Sequence, residues 1–187
     1  MIVASIAIPL GLLALILTRD GSSAPATSTP TTAGAVTDRS KAKVGSPAPD
    51  FSLPTTTGGA LTLSALRGHP VVLAFFASWC QPCEEELPVL QQIAADGGKR
   101  VKVIGVNFRD LGSDSAAFVK RLHVTFPAAL DDPSAPVARS YGVCAIPQTV
   151  FIDANGVVRG RVYGVTSRKE LQPAVDDLLA GRDIRTI

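Results

Sequence analysis

The chain is poor in the residue types that build several common kinds of site. It has three cysteines and two histidines in 187 residues. Three cysteines do not make a disulfide framework, so a folded domain must rest on its apolar core. A zinc site built around Cys80 and Cys83 would want a second Cys or His pair. Only Cys144, His69 and His123 remain, and none of them are paired in sequence. No metal and no cofactor are therefore expected. The formal net charge is +2 and there is no long basic run, which argues against nucleic acid as a partner. No internal repeat is visible. No Lys or Arg precedes the apolar N-terminal run, so the basic flank of a secretory signal is missing. No cysteine lies near that run, which excludes a lipid-modified cysteine.

What is present divides the chain into three. Residues 2–17 are apolar apart from Ser5 and end at Arg19-Asp20. At roughly 1.5 Å per residue the run is close to the lower limit for a bilayer span. Residues 1–20 are thus read as a transmembrane signal anchor; cleavage after Ala24-Pro25-Ala26 is the competing reading. Residues 21–43 are rich in Ser, Thr, Ala and Pro and read as a flexible tether. Residues 44–187 are long enough to bury a core. A tether behind an anchor places that domain on the extracytoplasmic side of the cell membrane.

Within the domain, segments 51–53 and 61–63 flank Thr56-Thr57-Gly58-Gly59 and predict a hairpin. The run 71–76 is continuously apolar, as expected of a strand buried on both faces. A helix should start at residues 80–82, with Glu84, Glu85 and Glu86 at the positive end of its dipole and Pro82 in its first turn. Pro88 should kink it and Gly97-Gly98 should end it. Strands are predicted over 101–106, 148–152 and 157–165, the last two joined at Asp153-Ala154-Asn155-Gly156. Helices are predicted over 115–122, with Asp114 as N-cap, over 137–141, and over 167–179. This order gives an α/β fold, a three-layer α/β/α sandwich of thioredoxin type with a hairpin in front.

The chemistry centres on Trp79-Cys80-Gln81-Pro82-Cys83, placed where a buried strand turns into a helix. Two cysteines with this spacing cycle between dithiol and disulfide. A helix N-terminus stabilises a thiolate, so Cys80 is expected to be exposed and to attack, with the more buried Cys83 resolving the mixed disulfide. Glu86 lies three residues beyond Cys83 on the same helix face, where a buried carboxylate would raise nearby thiol pKa values or exchange protons with them. Pro82 shapes the turn and tunes the potential. Trp79 is either a substrate platform or a core aromatic. Asn107, at the end of a buried strand, either bonds locally or merely ends the strand. His69 and His123 read as surface residues.

Several stretches resemble one known group of proteins: Val44-Gly45-Ser46-Pro47-Ala48-Pro49-Asp50-Phe51-Ser52-Leu53, then Phe75-Phe76-Ala77-Ser78-Trp79-Cys80-Gln81-Pro82-Cys83-Glu84-Glu85-Glu86-Leu87-Pro88, then Gly105-Val106-Asn107, then Gly142-Val143-Cys144-Ala145-Ile146-Pro147-Gln148-Thr149 with Phe151-Ile152-Asp153. Together they resemble the TlpA/ResA/DsbE-like family of membrane-anchored thiol–disulfide oxidoreductases. That resemblance implies a thioredoxin fold with a central insert, here about residues 110–141. It implies a cis bond at Ile146-Pro147 facing the cysteines and Glu86 as the family's active-site acid. Ile146, Pro147, Trp79 and Pro82 are expected to contact substrate, Ile146 through its backbone as in strand addition. It implies cysteine-containing protein substrates, apocytochrome c among them, and a membrane thiol transporter as electron donor. Two features depart from the pattern. Gln148 stands where an acid is common, and Cys144 lies just before the proline loop, as a small apolar residue beneath it or as a third thiol.

The expected function is thus reduction of protein disulfides in cytochrome c maturation. The alternatives are an oxidant that introduces disulfides and a partner-binding module with secondary redox activity. A peroxiredoxin is disfavoured, because Leu73 occupies the position seven before Cys80 where a Pro-x-x-x-Ser/Thr-x-x-Cys site needs proline.

Overall fold

The computed structural model describes residues 42–184. The apolar run 2–17 and almost all of the predicted tether lie outside the described residues, and among the described residues no helix is long and apolar enough to cross a membrane. Five strands form the main sheet, in the order β5(Ala128–Ala129), β4(Lys102–Asn107), β3(Val71–Phe76), β6(Gln148–Ile152), β7(Val158–Tyr163). β3 pairs in parallel with β4 and antiparallel with β6, at the centre of the sheet. All six residues of β3 are buried, and they divide by parity. Val72, Ala74 and Phe76 face one apolar cluster, and Val71, Leu73 and Phe75 face the other. A continuous apolar run is what a strand covered on both faces requires.

One cover is built from α1(Gln81–Gly97), α2(Gly112–Arg121) and α4(Arg168–Leu179), which contribute Leu87, Leu90, Phe118, Leu171 and Val175 to the first cluster. The other comes from α3(Pro136–Ser140), a short 3-10 helix at Leu63–Leu66, and the segment around Phe51. These are the three layers expected from the sequence. The predicted hairpin is β1(Ser52–Pro54) with β2(Ala60–Thr62), paired antiparallel. It reaches the edge of the main sheet, where Thr55 bridges to Ala129.

One local expectation is corrected. Asp114 does not cap α2; the helix starts earlier, after Leu111, and Asp114 lies in its first turn. The reason is Asp110, whose carboxylate accepts the Leu111 N–H at 2.9 Å and the Ser115 hydroxyl at 2.8 Å and so draws the chain into helical form sooner. β5 is a two-residue strand that no alternation could reveal. Ala42 is buried, donates its N–H to the Ser140 carbonyl and accepts from the buried Arg161 guanidinium. α1 runs continuously through Pro88 and ends at Gly98, at a positive φ of 55°.

The second cluster is tied to the N-terminal segment by Tyr141. It is fully buried, and its hydroxyl donates to the Pro49 carbonyl at 2.7 Å. Burial also pushes the phenol well above its usual range. Tyr141→Phe should therefore lower the unfolding free energy by about 1 kcal/mol, because a half-buried carbonyl loses its donor. Urea unfolding of the two proteins measures this; coincident midpoints would show that the bond contributes nothing.

Candidate active site

β3 delivers the chain to a turn, Ala77-Ser78-Trp79, and α1 begins immediately after Cys80. The Cys80 backbone is extended, and its N–H bonds back to the Ala77 carbonyl at 3.2 Å. Cys80 and Cys83 form a disulfide with their Cα atoms 5.3 Å apart. The Cys80 Sγ also occupies the cap position, accepting the Cys83 N–H at 3.2 Å. A sulfur held there lies against the unsatisfied N–H groups and positive end of α1, which stabilise a thiolate. Pro82 fits this first turn because it has no N–H to leave unpaired.

The expectation of an exposed Cys80 needs correction. Cys80 is 4% exposed and Cys83 0%, since both sulfurs belong to the first apolar cluster. A residual difference still separates them: of the two residues only Cys80 retains any exposed surface. The exposed residue of the turn is Trp79, at 59%, which rules out the core reading of this side chain. Its indole N–H donates to the Arg109 carbonyl at 3.3 Å, and its ring leans on Phe108 with centroids 6.5 Å apart.

The turn is held from the side by Asp110. Its carboxylate accepts the Ser78 N–H at 2.7 Å and the Ser78 hydroxyl at 2.9 Å, besides its two bonds to the start of α2. Asn107 in turn donates to the Asp110 carbonyl at 3.1 Å and accepts the Asp131 N–H at 2.5 Å. Both ends of its amide are used, so Asn107 bonds locally. Asp131 is itself buried, and desolvation raises its carboxyl pKa against the opposing backbone N–H bonds from Ala138 and Asp132. Sequence reasoning missed Asp110, whose partners lie as much as 32 residues away.

Glu86 is 2% exposed, unlike Glu84 and Glu85, which face solvent. At three residues from Cys83 its Cβ lies about 5–6 Å from that of the cysteine. The Thr166 hydroxyl donates to Glu86 Oε1 at 2.6 Å, a partner that sequence spacing of 80 residues could not reveal. Burial raises the carboxyl from an ordinary 4.5 to about 7, and the Thr166 bond only partly opposes it. Glu84 shows the contrast. Arg121 binds it through both oxygens, at 2.5 and 3.2 Å, which holds its pKa below the usual value.

The Ile146–Pro147 bond is cis. The register Phe75↔Gln148 sets Pro147 beside the end of β3, at the edge where the cysteine turn begins. Ile146 packs against both apolar clusters, and its N–H and C=O have no backbone partner among the described residues. Pro147 is buried, and its carbonyl accepts the Gly164 N–H at 3.0 Å. Gln148 is buried too, with an amide nitrogen that has no partner among the described residues; so is Thr149 with its hydroxyl. Cys144 is exposed and free, not tucked beneath the loop. His69 and His123 are on the surface.

Comparison with known proteins places this geometry. The profile of the AhpC/TSA family matches residues 44–161. The chain belongs to that family. The thiol:disulfide interchange protein CycY of Rhizobium leguminosarum bv. viciae is 32% identical over 124 residues, covering 64% of this chain and 66% of CycY. The thiol:disulfide interchange protein DsbE of Xylella fastidiosa (strain 9a5c) is 35% identical over 115 residues, covering 62% of this chain and 57% of DsbE. The chain thus spans less than two thirds of the length of these curated relatives. A crystal structure of a putative DsbE from Chlorobium tepidum superposes with a TM-score of 0.69 at 33% identity, over 74% of this chain and 99% of that one. The resemblance drawn from the sequence, and the thioredoxin-like fold, are both borne out within this family.

The Glu86 carboxyl generates a pH test on the oxidised protein. Its folded pKa lies above its unfolded value, so folding favours the protonated form. That contribution is complete below about pH 4.5 and is lost as pH rises through about 7. Glu86→Gln keeps the Thr166 bond and does not titrate. The wild type should therefore lose about 2–3 kcal/mol relative to the variant between about pH 5 and pH 8. Parallel stability curves over that range would show that Glu86 is solvated.

Proposed function

We propose that the chain is a protein thiol–disulfide oxidoreductase working as a reductant on the extracytoplasmic side of the cell membrane. The observation that carries this reading is the Cys80–Cys83 pair at the start of α1, with surface left only at Cys80 and a buried Glu86 one turn beyond Cys83. In the reduced protein the Cys80 thiolate attacks a substrate disulfide. A Cys80–substrate mixed disulfide forms, and the first substrate thiolate leaves. Cys83 loses its proton and attacks the Cys80 Sγ, which closes the Cys80–Cys83 disulfide and releases the second substrate thiolate. Two electrons pass from the pair to the substrate.

Glu86 is suited to accept and return the Cys83 proton, because a carboxyl poised near 7 exists in both forms at neutral pH. Its charged form also opposes a neighbouring thiolate. A thiolate that gains little stabilisation makes the dithiol give up its electrons more readily, which favours the reductant over the oxidant. The Ile146 N–H and C=O are available to pair with an extended substrate segment, as in strand addition, with Trp79 and Pro82 at the rim. The substrates are cysteine-containing proteins, with apocytochrome c the one the family resemblance favours, and a membrane thiol transporter returns the electrons. Residues 1–20 anchor the chain and the Ser/Thr/Ala/Pro-rich stretch that follows tethers the domain at residues 44–187.

Two measurements check this reading. Cys83→Ala should accumulate mixed disulfides through Cys80, and Cys80→Ala should accumulate few; the reverse pattern would exchange the two roles. Membrane fractionation should retain the full-length chain, and protease added to spheroplasts should release the domain by cutting within residues 21–43. A soluble mature protein beginning near Thr27 would show instead that the leader is cleaved.

A further inference from the structure

One cation at the rim of the site has no role in the exchange described above. Arg109 follows β4 and lies in the left-handed region, with φ of 50°. A residue with a side chain incurs about 1–2 kcal/mol there, and glycine would avoid it. The position is held from both sides. The Arg109 carbonyl accepts the Trp79 indole N–H, and the next residue, Asp110, is fixed by Ser78 and Ser115. The guanidinium lies over the Phe108 ring, 5.2 Å from its centroid, while Trp79 leans on the same ring. Trp79, Phe108 and Arg109 therefore form one contiguous unit beginning at the residue before Cys80, with both outer members exposed.

That cation is not neutralised. Among the described residues Arg109 makes no ion pair. The carboxylate next to it, Asp110, is buried and turned toward Ser78, Ser115 and Leu111. The acid at the start of α1 that carries a cation partner, Glu84, has Arg121. Leu111, 61% exposed, adds a second exposed apolar side chain two residues beyond Arg109, on the loop between β4 and α2. The combination is a planar cation, oriented by stacking and left free, beside an exposed indole and leucine.

We infer that Arg109 is a specificity-determining residue that selects disulfides carrying a carboxylate close to the reactive sulfur, the apolar remainder of the substrate resting on Trp79 and Leu111. The inference rests on the oxidoreductase reading. It adds the chemistry of the substrate segment: acidic beside its cysteine. A guanidinium suits this role because its donors match a carboxylate in pairs.

The test uses the reduced protein and two small disulfides, dithiodipropionate with two carboxylates and cystamine with two ammonium groups. Both are attacked by the same Cys80 thiolate, so any change in its nucleophilicity multiplies both rates and cancels in their ratio. The anionic-to-cationic rate ratio should fall at least about threefold in Arg109→Gln and further in Arg109→Glu. It should also fall in the wild type at about 1 M salt, where charges are screened within about 3 Å. Lys102→Gln, at the opposite end of β4, should leave the ratio unchanged. A ratio that Arg109→Gln does not move, or that Lys102→Gln moves equally, overturns the inference and leaves the oxidoreductase reading standing. A wild-type protein that exchanges with neither reagent overturns that reading and this inference together.

Discussion

The buried carboxylate of Asp110 is the constraint on which the site depends. It gathers four hydrogen bonds from three places: the N–H and hydroxyl of Ser78, the N–H of Leu111 and the hydroxyl of Ser115. A carboxylate removed from water is tolerated only when its oxygens are satisfied in this way. The bonds fasten the turn between β3 and α1 to the loop between β4 and α2. Asn107 extends the network to Asp131, and Asp131 accepts the Ala138 N–H at 3.0 Å within α3. The start of α1 is thereby fixed relative to three other elements, and Cys80 with it.

Position matters here because the chemistry rests on small electrostatic differences. The N-terminus of α1 favours negative charge on the Cys80 sulfur, while burial of Cys80, Cys83 and Glu86 disfavours it. Glu86 adds a term that changes with pH, since its carboxyl moves to about 7 where burial outweighs the Thr166 bond. Thr166 lies between β7 and α4 and Glu86 lies on α1, so the acid is set by the segment that joins the sheet's edge strand to α4. The redox pair and its neighbouring acid thus draw on opposite sides of β3.

Much of this was legible in the sequence, for reasons that are physical. β3 is legible at 71–76 because a strand buried on both faces is apolar without interruption, and β6 at 148–152 because Pro147 precedes it and the turn at Asp153-Ala154-Asn155-Gly156 follows it. The cysteine pair announces itself through spacing, and Glu86 through its three-residue offset from Cys83. The residues that escaped notice act through long-range contacts. Asp110 and Thr166 read as ordinary loop residues, and only the fold brings them to Ser78 and Glu86. β5 has two alanines and no pattern to display. The burial of Cys80 is not legible in the sequence, because a helix-start position says where a backbone lies, not how much of its surroundings closes over it.

The direction of electron flow is the centre of the account, and one quantity decides it. The reduction potential of the Cys80–Cys83 pair, equilibrated with glutathione at pH 7, should lie at or below about −220 mV, the range of thiol pairs that donate electrons. A potential near −120 mV, typical of a strong oxidant whose dithiol form is stabilised, would contradict it.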